Sequence, residues 1–150
     1  MFIQHIESPL GPIKIQANDK GITEIAFVSG MLAATNTSSL TQQAAQQLNA
    51  YFAGELNQFN LPLDATGTEF QQQVWRALCG IPFGHTCSYG DIAQQINNIK
   101  AVRAVGGANG RNPIAIVVPC HRVIGANGTL TGYNGGLDKK TWLLKHEQRQ

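Results

Sequence analysis

The stretch Ser88-Tyr89-Gly90-Asp91-Ile92-Ala93-Gln94-Gln95-Ile96-Asn97-Asn98-Ile99-Lys100-Ala101-Val102-Arg103-Ala104-Val105-Gly106-Gly107-Ala108-Asn109 reads as two short helices and the turn between them. Ser88 stands at a cap, Asp91 three residues on completes a capping box, and Ile92, Ala93 and Ile96 recur at helical spacing. Asn97-Asn98 breaks the pattern, and a further helix is predicted over residues 100–109. So tight a turn between two short helices predicts a helix-turn-helix. The second helix carries almost no bulk. Ala101, Ala104, Gly106, Gly107 and Ala108 leave a bare surface onto which another backbone can close, at a cost of up to about 1 kcal/mol for each interior glycine. Such a surface serves a neighbouring helix or a ligand, and Arg103 on the same element favours the ligand.

Working outward toward the C-terminus, Asn112-Pro113 ends this helix, because proline lacks a donor and biases its predecessor toward extended backbone. A strand is predicted over residues 114–118. It leads into Pro119-Cys120-His121-Arg122-Val123, which brings a thiol, an imidazole and a guanidinium together. A thiol reacts as thiolate and titrates near 8.5 when unperturbed, so a nucleophilic cysteine needs a base or a positive field, and His121 and Arg122 can supply them. The alternative for Cys120 is a small buried hydrophobe at a strand end. Ala126-Asn127-Gly128-Thr129 marks a turn, and a last helix is predicted from Leu137 to Glu147 with Leu143 and Leu144 buried.

Toward the N-terminus the pattern changes. Residues 2–7, 12–17 and 22–28 read as strands of a meander, separated by Ser8-Pro9-Leu10-Gly11 and Asn18-Asp19-Lys20-Gly21. Leu40, Ala44, Ala45, Leu48, Tyr51 and Phe52 recur at helical spacing, with Gly54 as the stop. Residues 61–67 read as a connector, after which Thr68 opens a helix with Phe70, Val74, Trp75 and Leu78 on its apolar face. Two units follow from this reading: a scaffold over residues 1–63, and residues 64–150, which carry the chemistry.

The chain of 150 residues has a net charge of +2 that hides an asymmetry: residues 1–75 sum to −4 and residues 76–150 to +6. A field concentrated on one half attracts a polyanion. Cys79, Cys87 and Cys120 form no CxxC pair and leave an odd thiol, against a disulfide framework. Residues 1–75 hold no cysteine and one histidine, His5, so no metal site is expected there. No apolar run approaches the roughly 20 residues of a membrane span, and the start lacks a secretory signal, which predicts a cytoplasmic protein without membrane contact.

Ser88–Ala93, Ala101–Ala108, Asn112-Pro113, Pro119-Cys120-His121-Arg122, Gly132-Tyr133 with Gly135-Gly136-Leu137, and Trp142–Glu147 occur in an order and spacing that resembles the O6-alkylguanine-DNA alkyltransferase family. The resemblance is close over residues 66–149 and loose before them. It implies an α/β (α+β) fold, with a small ribonuclease H-like N-terminal lobe and a mainly helical C-terminal lobe bearing a winged helix-turn-helix-like motif. It also implies repair of O6-alkylguanine, and of O4-alkylthymine as a second base, by irreversible transfer of the alkyl group to Cys120. In such a mechanism His121 takes the thiol proton through a water and Glu147 orients the imidazole. Tyr89, Asn112, Val123, Tyr133 and Asn134 would meet the extruded base. Arg103 would fill the space that base leaves, while Ala101, Ala104, Gly106, Gly107, Ala108 and Arg122 would meet DNA. The partner implied is double-stranded DNA bound through its minor groove by a monomer, with no cofactor and no metal. Asn134 stands where relatives often carry serine or alanine.

Three other readings of the same residues stay open at this point. A DNA sensor of the alkyltransferase-like kind has another residue at the cysteine position, which Cys120 argues against. A helix-turn-helix regulator needs bulky polar side chains reaching base edges, which residues 101–108 lack apart from Arg103. A cysteine hydrolase could use Cys120, His121 and Glu147 on an acyl substrate.

Overall fold

The computed structural model describes residues 1–30, 36–133 and 135–148, and the chain divides into two compact units, Met1–Thr66 and Gly67–Gln150. In the first, β1 (Phe2–Ile6), β2 (Ile13–Ala17) and β3 (Ile22–Phe27) form an antiparallel sheet in sequence order, with Phe2 opposite Ala17 and Ile13 opposite Phe27. The period of two along β2 turns Ile13, Ile15 and Ala17 to one face, all fully buried. Helix α1 (Ser39–Phe52) packs on β1 and β2 through Ala44, Ala45, Leu48 and Tyr51.

Both ends of α1 follow from local chemistry. Ser38 and Thr41 form a reciprocal capping box. At the other end Gly54 takes φ +79°, its N–H reaching Tyr51 O and that of Glu55 reaching Ala50 O, the two bonds of a Schellman motif. Residues 61–64, expected as connector, are in fact tied to the sheet: Ile22 N–H donates to Pro62 O and Asp64 N–H to Ile22 O, both at 2.8 Å. Gly21 is needed there, since a Cβ would lie 2.7 Å from Pro62 O.

In the second unit, Thr68 opens α2 (Glu69–Cys79), as the sequence predicts, in a capping box with Gln71 that the sequence reading did not name, and Ser88 caps α3 (Tyr89–Gln95) in the predicted box with Asp91. Asn97 ends α3 with φ +58°, the left-handed geometry asparagine tolerates, and α4 (Val102–Gly110) follows. Helices α2, α3 and α4 pack together over Val74, Leu78, Ile92, Ala93 and Val105, with Trp75 Nε1 donating to Ala108 O at 2.9 Å. Two short strands, β4 (Cys87–Ser88) and β5 (Val123–Ile124), pair in parallel, and α5 (Leu137–Gln148) closes the unit. None of the described helices is long and apolar enough to cross a membrane.

The predicted strand at residues 114–118 is absent. The chain instead turns sharply, with Val117 N–H bonded to Ala115 O across Ile116, which is held at φ +72°. A β-branched residue in that region costs on the order of 1–3 kcal/mol and persists only where the surroundings impose it. Two features impose it here. Ile116 is buried, and the Asn112 side chain substitutes for a neighbouring strand: its Nδ2 donates to Ile114 O and Val118 O, and its Oδ1 accepts from Ile114 N–H. The apolar composition that suggested a strand therefore packs a turn.

Candidate active site

A second tight turn presents the thiol. Pro119, fixed by its ring at φ −83° with ψ 63°, lets Cys120 N–H reach Val118 O at 2.8 Å, and residues Cys120–Arg122 then form one 3₁₀ turn. Cys120, His121 and Arg122 are all buried. Asn109, on the last turn of α4, donates from Nδ2 to Cys120 O at 3.4 Å, and Asn112 holds Val118 O at 2.8 Å. The backbone on both sides of the nucleophile is thus fastened by asparagines from the end of α4.

Glu147 of α5 joins the other two side chains. His121 Nε2 lies 2.7 Å from Glu147 Oε2, while Arg122 donates from Nε to Oε1 at 2.8 Å and from Nη2 to Oε2 at 3.1 Å. Arg122 Nη1 donates to Ile81 O at 2.7 Å, and its guanidinium stands over the Phe83 ring. This corrects the expectation that Arg122 meets DNA: its donors are taken up inside the protein, and its charge is matched by Glu147. Burial drives the proton affinity of His121 down, opposed by Glu147, so the imidazole is neutral with Nε2–H donating to the carboxylate. Nδ1 is then the lone pair available to a proton; it makes no hydrogen bond among the described residues.

The cation facing the thiol is Lys140, which the sequence reading missed. It is fully buried, and Nζ donates to Val123 O at 2.6 Å and to Thr131 O at 3.0 Å. Burial raises the pKa of Cys120, while the Asn112 hydrogen bond and the Lys140 charge work against that rise. The resting thiol is therefore protonated and needs a base to take its proton. Lys140, Leu143 and Glu147 form the inward stripe of α5 at helical spacing, whereas Leu144, expected inside, is half-buried. The signal was present in the interval of seven from Lys140 to Glu147, but hydropathy assigns both residues to solvent.

The remaining site residues separate by position. Tyr89, at the start of α3, has its hydroxyl 2.5 Å from Thr131 Oγ1, and a Cβ on Gly106 would be 3.9 Å from its ring. Tyr133 is half-buried; burial, Cys120 and Glu147 push its hydroxyl well above the usual tyrosine range. Asn112 braces the turn, and Val123 is fully buried with its carbonyl accepting from Lys140 Nζ. Asn134 lies outside the described residues. On α4, Arg103, Ala104 and Gly107 are exposed, and Ala101 and Gly106 half-exposed. Ala108 is buried under Trp75, which removes it from the expected outer face.

Residues 69–149 match the family model of the 6-O-methylguanine DNA methyltransferase DNA binding domain, and residues 1–65 match that of its ribonuclease-like domain. A methylated-DNA–protein-cysteine methyltransferase of Methanosarcina acetivorans is 52% identical over 153 residues, covering 98% of each chain. The chain belongs to the 6-O-methylguanine DNA methyltransferase family. Among solved structures, Mycobacterium tuberculosis OGT in complex with DNA superposes on this methyltransferase with TM-score 0.90 at 50% identity, over 98% of this chain and 92% of that one. A Methanococcus jannaschii O6-methylguanine DNA methyltransferase is 30% identical with TM-score 0.71, over 100% and 94% of the two chains. The expected α/β architecture with its ribonuclease-like and DNA-binding parts is that of the family, and membership makes the chain a DNA repair methyltransferase.

Proposed function

We propose that this methyltransferase extrudes 6-O-methylguanine from duplex DNA and takes the alkyl group permanently onto Cys120. The observation that carries the reading is the Cys120–Arg122 turn, which holds a buried thiol within the field of the Lys140 ammonium and next in sequence to an imidazole bonded to Glu147. His121 takes the thiol proton at Nδ1 through a water, and Glu147 stabilises the imidazolium that forms. The thiolate attacks the alkyl carbon, the carbon–O6 bond breaks, and its electron pair passes to the purine. The net change moves one proton from sulfur to the purine. Lys140 stabilises the thiolate by its charge. The product thioether has no route back, so each molecule acts once.

A stacked base hides its modified oxygen, so extrusion precedes chemistry. The exposed bare face of α4 suits entry into the minor groove, with Arg103 filling the vacated stack. Tyr89 donates to the extruded guanine, and Tyr133 lines its pocket. The protein acts as a monomer in the cytoplasm. Replacing Arg103 by alanine tests extrusion: repair in duplex DNA is expected to slow at least about 10-fold, the size of a lost wedge contact, while reaction with free 6-O-benzylguanine keeps its rate. Single-turnover kinetics on both substrates decide it, and equal losses would remove Arg103 from that role.

A further inference from the structure

We propose that Thr131 is a positioning residue for Tyr89, its hydroxyl donating to the phenol oxygen so that the phenol proton is committed to the extruded base. The inference rests on the assignment of Tyr89 just given. The two hydroxyl oxygens are 2.5 Å apart and share one hydrogen bond, which can run either way. A phenol has one proton. If Tyr89 donates to Thr131 it has nothing for the substrate, and if Thr131 donates to Tyr89 the phenol O–H is left to donate a hydrogen bond to a ring nitrogen or oxygen of the base.

Both partners are held in place. The Thr131 carbonyl is fixed by Lys140 Nζ at 3.0 Å, and the same ammonium holds Val123 O at 2.6 Å, one residue beyond the 3₁₀ turn that bears Cys120. The Tyr89 ring faces Gly106 of α4, where an added Cβ would stand 3.9 Å from it. The threonine is thus anchored through its backbone to Lys140, and the phenol is carried by the first residue of α3. With a base in place, the chain from Thr131 through Tyr89 to the purine points all its donors at the group that gains negative charge as the carbon–oxygen bond breaks. Consecutive hydrogen bonds of this kind strengthen one another. No proton needs to leave the protein for this to act, and Thr131 touches no reacting atom.

The test is single-turnover transfer from 6-O-methylguanine in duplex DNA by the full chain, with DNA affinity measured alongside. Thr131→Val keeps the side-chain shape and the Lys140 bond to the backbone carbonyl. It is expected to slow transfer about ten-fold, the value of one directed hydrogen bond to a charge-bearing transition state, with affinity unchanged. Thr131→Ser should restore the rate, which a packing role for the threonine methyl would not allow. Adding Thr131→Val to Tyr89→Phe should cost nothing further, because the two residues act as one unit. A Thr131→Val protein at full rate, or losses that add in the double variant, would overturn the proposal while leaving Tyr89 its role. A Tyr89→Phe protein at full rate would overturn the assignment of Tyr89 and the proposal with it.

Discussion

Cys120→Ala is expected to lose all alkyl transfer while keeping its affinity for damaged duplex. The acceptor atom is gone, and neither remaining thiol can replace it. Cys79 is exposed and its thiol is pushed up by burial of part of its surface. Cys87, half-buried and beside Asp91, is pushed up to about 11. At neutral pH a thiol of that pKa is ionised in only about one molecule in ten thousand. Cys120 also starts from a raised pKa, so the difference lies in its surroundings: the Lys140 charge acts on its sulfur and His121 is the next residue. The exposed face of α4 is untouched by the change, so binding survives. Mass spectrometry of tryptic peptides after incubation with methylated duplex checks this, and alkyl mass on a peptide holding Cys79 or Cys87 would reassign the acceptor.

Arg122→Met is expected to destabilise the fold by about 3–5 kcal/mol, the penalty of stripping one partner from a buried ion pair. The guanidinium is the group that neutralises Glu147 away from solvent, through Nε and Nη2, while its third nitrogen, Nη1, donates to Ile81 O. Methionine fills comparable space without a charge, so the loss measures the stranded carboxylate and not a cavity. A second effect follows with a definite sign. The Arg122 charge lowers the proton affinity of His121. Without it the imidazole binds its proton at higher pH, and since the base must be neutral to act, the acid limb of the pH–rate profile moves upward. Chemical denaturation and a pH series of single-turnover rates test the two parts. Glu147→Gln removes the orienting carboxylate and is expected to lower the rate across the whole pH range.

The helices were legible wherever capping chemistry and apolar spacing agreed. The Ser88–Asp91 box and the helix start at Thr68 fall where the sequence puts them, and Gly54 ends α1 by the motif glycine permits. The predicted strand at residues 114–118 fails for a physical reason: apolar runs report burial, and nothing in hydropathy separates a strand from a buried turn laced by one asparagine. The role of Asn112 was half visible, since its power to hold the following backbone follows from its chemistry, but its reach to Val118 requires the fold.

Charge misled in both directions. Arg122, beside a nucleophile on the basic half of the chain, looked like a DNA contact, yet its partner Glu147 lies on another element. Lys140 went unnoticed in the sequence, yet it is fully buried and bonded to two carbonyls from the segment after the nucleophile. Neither pairing is local, so no window of sequence contains it. Ala108 went astray for a simpler reason: a helix of small residues has no hydropathy contrast to mark its inner face, and Trp75 marks it only once α2 packs against α4.

The claim on which the rest stands is that Cys120 takes the alkyl group and keeps it. Titration of purified protein with excess duplex containing 6-O-methylguanine, followed by counting of restored guanines, tests it most directly. A plateau is expected at one lesion repaired per protein molecule, with all protein carrying the alkyl mass on the Cys120 peptide. Continued repair beyond that plateau, with Cys120 recovered as a free thiol, would contradict it.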